Sequence, residues 1–280
     1  MSTRSHSHSI HMDAIHTTFN RLRRQGRKAL MPFIMGGDPD LATTAQLLLA
    51  LEDAGADLIE VGIPFSDPLA DGPVIQASST RALAHGATPA RVLAAIHSVR
   101  RRLHVPVVCL SYWNPMLQFG HDGTAQTPRP FVRAARMSGV TGVIVPDLPV
   151  EEGAALRAAA AREGVASVFL AAPTSPPARL RAVARASEGF IYYVSVTGTT
   201  GARRELPPAL VHGVRQLKLL TTRPVCVGFG ISTPAQASAV ARVADGIIVG
   251  SALIRAIGGA RGRLAGRRAG QFLRRLRRVL

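Results

Sequence analysis

The chain has 280 residues, of which 47% are hydrophobic and 18% charged, so it can bury a large core and is not an intrinsically disordered protein. Its formal net charge of +17 arises from 34 Lys and Arg against 17 Asp and Glu. Only 5% of the residues are aromatic, so the basic runs lack interleaved stacking side chains, and a solvated basic surface is preferred over nucleic-acid binding.

The sequence predicts neither a membrane span nor export. No apolar run approaches the 18 or so residues of a span, and the start, MSTRSHSHSIH, lacks the apolar region of a signal peptide. The two cysteines, Cys109 and Cys226, lie in apolar, strand-like runs, which fits a reducing compartment. We therefore expect a cytoplasmic protein in which residues 1–12 form a disordered tail.

Short β-branched runs recur along the chain, each followed by a turn and a longer segment with helical spacing. Eight such units without a dividing linker favour an α/β fold, a (β/α)8 TIM barrel with an extra N-terminal helix, as a single domain over 1–280. Residues 259–280 form a basic C-terminal segment that includes the last helix. The predicted strands are 30–34, 57–61, 107–110, 142–145, 167–170, 190–194, 225–228 and 246–249. The predicted helices are 13–25, 41–54, 89–102, 130–138, 151–163, 176–186, 208–220, 234–243 and 270–280.

Three carboxylates stand close together in IEVGIPFSDPLADGP, residues 59–73. Glu60 lies inside the second predicted strand, where burial of a carboxylate costs on the order of several kcal/mol or raises its pKa. A general acid or base would explain it, and so would pairing with Arg, Lys or backbone donors. Asp67 and Asp71 follow on the loop at the C-terminal face, where TIM barrels collect their chemistry, although Asx-turns are an alternative for both.

Two glycine-containing turns follow the seventh and eighth predicted strands. GFGISTP (228–234) ends in residues suited to a helix N-cap and first turn, and VGSAL (249–253) begins another helix. Helix N-termini beside glycines bind phosphate at this place in TIM barrels, although tight turns are an alternative. The glycine-rich segment 194–205 has the composition of a mobile lid or of an ordinary flexible loop.

The sequence contains no HExxH motif, no Cys/His cluster and no GxGxxG, so no metal or nicotinamide is expected. Its two lysines, Lys28 and Lys218, lie in a predicted turn and helix, which argues against a Schiff-base aldolase. From the residues alone we predict a barrel that holds a phosphoester at one rim and presents acids from the second strand to its organic end.

Motifs spread over nearly the whole chain make the sequence similar to the tryptophan synthase α-subunit family. They are PFIMGGDPD (32–40), LEDAGADLIEVGIPFSDPLADGPVIQ (51–76), VPDLPVEE (145–152), YYVSVTGTTGAR (192–203), GFGIS (228–232) and VGSAL (249–253). The resemblance implies retro-aldol cleavage of indole-3-glycerol phosphate to indole and glyceraldehyde 3-phosphate, without a cofactor in this subunit. It also implies an α2β2 complex with a β subunit that carries pyridoxal phosphate, and no nucleic-acid or membrane partner.

The resemblance assigns roles to individual residues. Glu60 matches a catalytic glutamate that moves protons between the glycerol hydroxyl and indole C3, and Asp71 matches an aspartate that accepts a hydrogen bond from the indole N–H. Tyr192 matches a tyrosine near the glycerol moiety. The other matches are phosphate binders at Gly201, Gly230, Gly250 and Ser251, indole-pocket walls at Phe33, Leu110 and Phe229, and a lid threonine at Thr200.

Several positions depart from the family pattern. Met35 stands where many relatives have a small polar residue, Val196 replaces an arginine found in some, and the connection at 119–131 is longer than usual. Asp67 fits a loop that communicates with the β subunit better than it fits catalysis.

Two other functions are alternatives to a tryptophan synthase α subunit. They are a stand-alone indole-3-glycerol phosphate lyase, which needs the same acids, and a basic nucleic-acid-binding protein on an inactive barrel.

Overall fold

The structure is a computed structural model that describes residues 12–120, 126–194, 206–228 and 230–280. Within these ranges, parallel strands alternate with helices along the chain. The strands are β1 (Ala29–Met35), β2 (Ile59–Gly62), β3 (Val107–Leu110), β4 (Val140–Ile144), β5 (Ala166–Val168), β6 (Leu170–Ala171), β7 (Ile191–Val194), β8 (Val225–Gly228) and β9 (Gly246–Val249). The helices are α1 (Met12–Arg24), α2 (Leu41–Asp53), α3 (Pro73–Ala84), α4 (Pro89–Val99), α5 (Trp113–Gln118), α6 (Arg129–Met137), α7 (Ala154–Glu163), α8 (Pro177–Ala186), α9 (Pro208–Leu220), α10 (Pro234–Ala241), α11 (Ser251–Ile257) and α12 (Gly262–Arg277).

The nine strands close into a barrel. Their order in the sheet is β5-β4-β3-β2-β1-β9-β8-β7-β6, so β5 and β6 stand at its two ends. These two strands are separated in the chain by Phe169 alone, whose carbonyl accepts a hydrogen bond from the Tyr192 amide at 3.2 Å. They are therefore two parts of one barrel strand, and the predicted (β/α)8 TIM barrel is confirmed.

The predicted elements agree with the observed ones except at three helices. Helices α3 and α5 were not predicted, and the last helix begins at Gly262, eight residues before its predicted start at 270. Helix α11 begins at Ser251, where the sequence predicted a helix start. Most of the predicted tail, 1–11, lies outside the described residues.

The barrel core consists of strands that are buried on both faces, because helices cover the outside and side chains fill the inside. All seven residues of β1 are buried, and its sequence, ALMPFIM, is a continuous hydrophobic run. Helix α1 covers the N-terminal end of the barrel. Its Phe19 ring lies 6.0 Å from the ring of Phe190, and its Ile15 side chain lies against Gly142 and Gly189. The C-terminal ends of the strands are thus left as the face for a site.

The end of α12 is joined to the first two strands by a buried ion pair. Arg277 Nη1 lies 2.6 Å from Asp57 Oδ2, and the two side chains are 15% and 5% exposed. The same carboxylate oxygen accepts a hydrogen bond from the Leu30 amide at 3.0 Å, while Arg277 Nη2 donates to the Lys28 carbonyl at 3.1 Å.

Among the described residues, no helix has both the length and the apolar character required to cross a membrane.

Arg277→Ala removes the cation nearest to the buried Asp57 carboxylate and leaves Arg27 Nη2 at 3.8 Å from Asp57 Oδ1, so it is expected to lower the free energy of unfolding by about 2 kcal/mol. Arg267→Ala is the control, since Arg267 is exposed on the same helix and makes no ion pair with a described residue; a change within about 0.5 kcal/mol is expected. Urea denaturation at pH 7 measures both values. Equal effects of the two substitutions would show that the pair does not anchor α12.

Candidate active site

Glu60 occupies the second position of β2 and is fully buried. Neither of its carboxylate oxygens has a hydrogen-bond partner in the described part of the chain, so the pairing with Arg, Lys or backbone donors that sequence left open is not observed there. Its charge acts on Tyr192 of β7 and Cys226 of β8, so the side chain points across the barrel interior. Burial, followed by repulsion from Asp71, raises the pKa of Glu60 from 4.5 to about 8. The group is therefore mainly a neutral carboxylic acid at pH 7.

Asp71 lies on the loop between β2 and α3 and is half-buried. Its Oδ2 atom accepts a hydrogen bond from Tyr112 Oη at 3.0 Å, and its backbone carbonyl accepts one from Gln76 Nε2 at 2.9 Å. Burial raises the pKa of Asp71 from 3.8 to about 6, and the hydrogen bond from Tyr112 opposes that rise. Its carboxylate thus contacts a side chain from another loop, and it makes no Asx-turn hydrogen bond within the described part of the β2–α3 loop.

Tyr112 was missed by the sequence reasoning, although it is the second residue after the end of β3, where barrel chemistry collects. That position at a strand end is the signal that could have identified it.

Tyr192 lies on the opposite side of the barrel from Asp71, on β7. Its ring passes beside β8, because a Cβ added to Gly228 would lie 2.8 Å from Tyr192 Oη. Burial, then the charges of Glu60 and Asp71, raises the pKa of Tyr192 well above 10, so the phenol stays protonated and can donate a hydrogen bond. The neighbouring Tyr193 is fully buried on the other face of the strand, against Gly213 of α9.

Phe33 and Leu110 form an apolar boundary beside the acids. Phe33 is adjacent to Glu60 in the register of β1 and β2, and Leu110 of β3 is adjacent to Gly62. The Phe33 ring extends from Gly62 toward Gly250, since a Cβ added at these glycines would lie 2.7 Å and 3.3 Å from ring atoms of Phe33. The ring therefore connects the acid side of the barrel mouth with the turn after β9.

The turns after β8 and β9 form a further part of the barrel mouth, with β9 separated from β2 by β1. Gly230 has a φ of +42° and is exposed, and a Cβ added to it would meet no atom within 4 Å, so its backbone faces open space. Gly250 precedes α11, and Ser251 is the first residue of that helix, which no described side chain caps. Thr233 caps α10 by accepting from the Gln236 amide at 3.3 Å, as the sequence predicted.

Some predicted residues are not brought into this group. Asp67 is exposed on the β2–α3 loop, where it accepts a hydrogen bond from the Ser66 hydroxyl. Met35, at a departure from the family pattern, is buried with its methyl group toward Gly62. Thr200, Gly201, Phe229 and Val196 lie outside the described residues.

The profile of the tryptophan synthase alpha chain family matches residues 19–274 of this chain. The chain belongs to the tryptophan synthase alpha chain family. The alpha chain of Geotalea daltonii is 50% identical over 244 residues, which cover 87% of this chain and 90% of the relative. The alpha chain of Prochlorococcus marinus is 47% identical over 278 residues, which cover 99% and 97%.

Solved structures of tryptophan synthase agree in fold. The alpha subunit from Legionella pneumophila superposes with a TM-score of 0.84 at 35% identity, covering 95% of this chain and 97% of that one. A Mycobacterium tuberculosis tryptophan synthase chain gives 0.85 at 35% identity with the same coverage. The chain is thus a lyase-type enzyme of tryptophan biosynthesis, and neither the stand-alone lyase nor the nucleic-acid-binding protein is favoured.

Among the described residues, no group of three or more His, Cys, Asp or Glu could hold a metal ion.

The raised pKa of Glu60 predicts a pH-dependent stability. In the unfolded chain this carboxyl loses its proton near pH 4.5, and in the folded protein near pH 8, so the folded state binds more protons in between and loses stability as pH rises through that window. Glu60→Gln removes this effect. The free energy of unfolding of the variant minus that of the wild type should therefore be larger at pH 9 than at pH 5 by about 4 kcal/mol in denaturant titrations. The same difference at both pH values would contradict the assigned pKa.

Proposed function

We propose that this chain catalyses the retro-aldol cleavage of indole-3-glycerol phosphate to indole and glyceraldehyde 3-phosphate. The observation that carries the proposal is the fully buried Glu60 carboxyl, which has no described hydrogen-bond partner and a pKa raised to about 8 beside a second acid. Membership in the tryptophan synthase alpha chain family supports this substrate. Such a carboxyl can both give and take a proton near neutral pH.

Glu60 would move the proton in two stages. As a carboxylic acid it donates a proton to indole C3, which produces an indolenine cation. Its carboxylate, which has no other described partner, then removes the proton of the glycerol hydroxyl. The bond between C3 and the glycerol carbon breaks as the aldehyde forms, and its electron pair returns to the indole ring. Glu60 is left protonated again, so the cycle needs no added acid or base.

Asp71 would stabilise the charged intermediate by accepting a hydrogen bond from the indole N–H. A pKa of about 6 leaves it mainly ionised at pH 7, whereas Glu60 remains mainly protonated. The two environments separate the pKa values, and the repulsion from ionised Asp71 helps to keep the proton on Glu60. The base and the cation stabiliser are thus distinct groups at neutral pH.

The remaining residues would bind the two ends of the substrate. Phe33 and Leu110 supply buried apolar surface for the indole, and Tyr192 can donate a hydrogen bond to the glycerol part. The phosphate would be held by backbone amides near Gly230, Gly250 and Ser251 at the start of α11. For Gly201, Phe229 and Thr200, the roles in phosphate binding, the indole wall and the lid rest on the family resemblance alone.

We also propose that the chain forms a single domain over 1–280 and assembles with a β subunit in an α2β2 complex in the cytoplasm. The β subunit would carry pyridoxal phosphate, and this chain would bind no cofactor itself. Membership in the tryptophan synthase alpha chain family supports this assembly. Leu69, two residues after Asp67 on the β2–α3 loop, is 91% exposed and is therefore accessible to a partner at this face. Asp67 fits a role in that contact.

Loss of either acid should abolish most indole release from indole-3-glycerol phosphate. Glu60→Gln is expected to lower kcat at least about a hundredfold, because it removes proton transfer, while affinity for glycerol phosphate stays within about threefold. Asp71→Asn is expected to cost about a hundredfold through lost charge stabilisation. Asp53→Asn, at the exposed end of α2, is the control and should keep wild-type turnover. Near-normal turnover of Glu60→Gln would overturn the proposal.

A β subunit should stimulate this reaction. We expect indole release by the purified chain to rise at least about tenfold when a tryptophan synthase β subunit is added in excess, since the β subunit would contact the β2–α3 loop that carries Asp71. High turnover by the chain alone, unchanged by the β subunit, would instead identify a stand-alone lyase.

A further inference from the structure

The hydroxyl of Tyr112 lies between two groups of the β2–α3 loop. It is 2.9 Å from the amide nitrogen of Ala70 and 3.0 Å from Oδ2 of Asp71. The Ala70 amide can only donate, so the hydroxyl oxygen accepts from it. The single hydrogen of the hydroxyl is then free for the carboxylate, and the direction of both hydrogen bonds follows from the chemistry of the groups.

We propose that Tyr112 is a positioning residue for the cleavage reaction, whose hydroxyl orients the Asp71 carboxylate and stabilises its ionised form. The inference rests on the function proposed for Asp71. A hydrogen bond donated to an ionised carboxylate is stronger than one between neutral groups, so it favours the charged state over the neutral one.

Tyr112 is itself held in place from two sides. Its ring packs against Phe65, with centroids 5.4 Å apart, and Phe65 is held at both its amide and its carbonyl by Ser79 Oγ at 2.8 Å. The next residue, Trp113, donates its amide to Asp147 Oδ1 at 2.9 Å. Three consecutive βα loops, after β2, β3 and β4, are therefore joined through Tyr112 and Trp113, and Tyr112 is 3% exposed.

The Tyr112 hydroxyl favours the ionised form of Asp71. Burial disfavours the charged form of Asp71, and the hydrogen bond from Tyr112 opposes that effect. The other titratable groups that face this part of the barrel are Glu60 and Tyr192, whose own pKa values are raised, and Asp147 beyond Tyr112. None of these described groups is a cation. Removing the hydroxyl thus takes away the side-chain donor that favours ionised Asp71.

The test is the pH profile of kcat/KM for indole release, measured from pH 5 to 9 with the β subunit present. Tyr112→Phe keeps the ring and removes the hydroxyl, so the acid limb should move upward by about one pH unit, and kcat/KM at pH 6 should fall at least about fivefold. Tyr193→Phe is the matched control, because the Tyr193 hydroxyl is buried with no hydrogen-bond partner among described residues and lies against α9. Its profile should coincide with that of the wild type.

A ¹³C-carboxyl NMR titration of Asp71 in the full chain provides a readout that does not depend on turnover. The Asp71 pKa should be higher in Tyr112→Phe than in the wild type and in Tyr193→Phe. An unmoved acid limb together with an unmoved titration would overturn the inference, whatever the loss of rate, because a purely structural role changes the rate at all pH values.

Asp71→Asn distinguishes a failure of the function proposed for Asp71 from a failure of the role proposed for Tyr112. If that variant turns over normally, the proposed function of Asp71 fails and the role of Tyr112 fails with it. If it is inactive while Tyr112→Phe leaves both pH readouts unchanged, the role of Tyr112 alone is wrong.

Discussion

The site depends on one constraint, a carboxyl group held inside a closed barrel without a described hydrogen-bond donor. An ionised Glu60 in that position would cost on the order of several kcal/mol, so the fold stabilises its neutral form. The surrounding strands tolerate the group because β1 and β3 keep Phe33 and Val108 in register beside it and bury apolar surface on both faces of the sheet. The buried apolar neighbours thus leave Glu60 without an opposite charge or hydrogen-bond donor among the described residues.

The two acids acquire different properties from different kinds of structure. Glu60 comes from a strand, where its surroundings are apolar side chains fixed by the barrel. Asp71 comes from a loop, where a tyrosine and a glutamine hold its carboxylate and carbonyl separately. Repulsion between the acids raises the pKa of the more deeply buried one, which makes the proton of Glu60 depend on the charge of Asp71. Any contact that keeps Asp71 ionised therefore also acts on Glu60.

Periodicity predicted the barrel because its strands are buried on both faces and read as apolar runs, and the same rule made Glu60 stand out as an exception. Helix α3 escaped prediction because its buried face includes Ser78 and Ser79, which bind polar groups of neighbouring loops and leave no apolar stripe. The start of α12 was predicted too late because glycines interrupt its pattern. At Gly266 a Cβ would lie 3.1 Å from Ala50, so the glycine permits close packing on α2.

The raised pKa of Glu60 was expected from its place inside a strand, whereas the ionisation of Asp71 could not be predicted from local sequence. Tyr112 and Asp71 are 41 residues apart, and their hydrogen bond exists because parallel strands bring the C-terminal ends of β2 and β3 to the same face of the barrel. A tyrosine just after a strand is equally compatible with a position in the hydrophobic core, and only the fold shows which atoms its hydroxyl contacts. The sequence thus identified both acids, whereas the hydrogen bond that favours ionised Asp71 comes from a residue of another loop. Because Tyr112 is buried and hydrogen-bonded to both Ala70 and Asp71, the Asp71 carboxylate is oriented before substrate binds, which is the condition for stabilising a cation without reorganising the site.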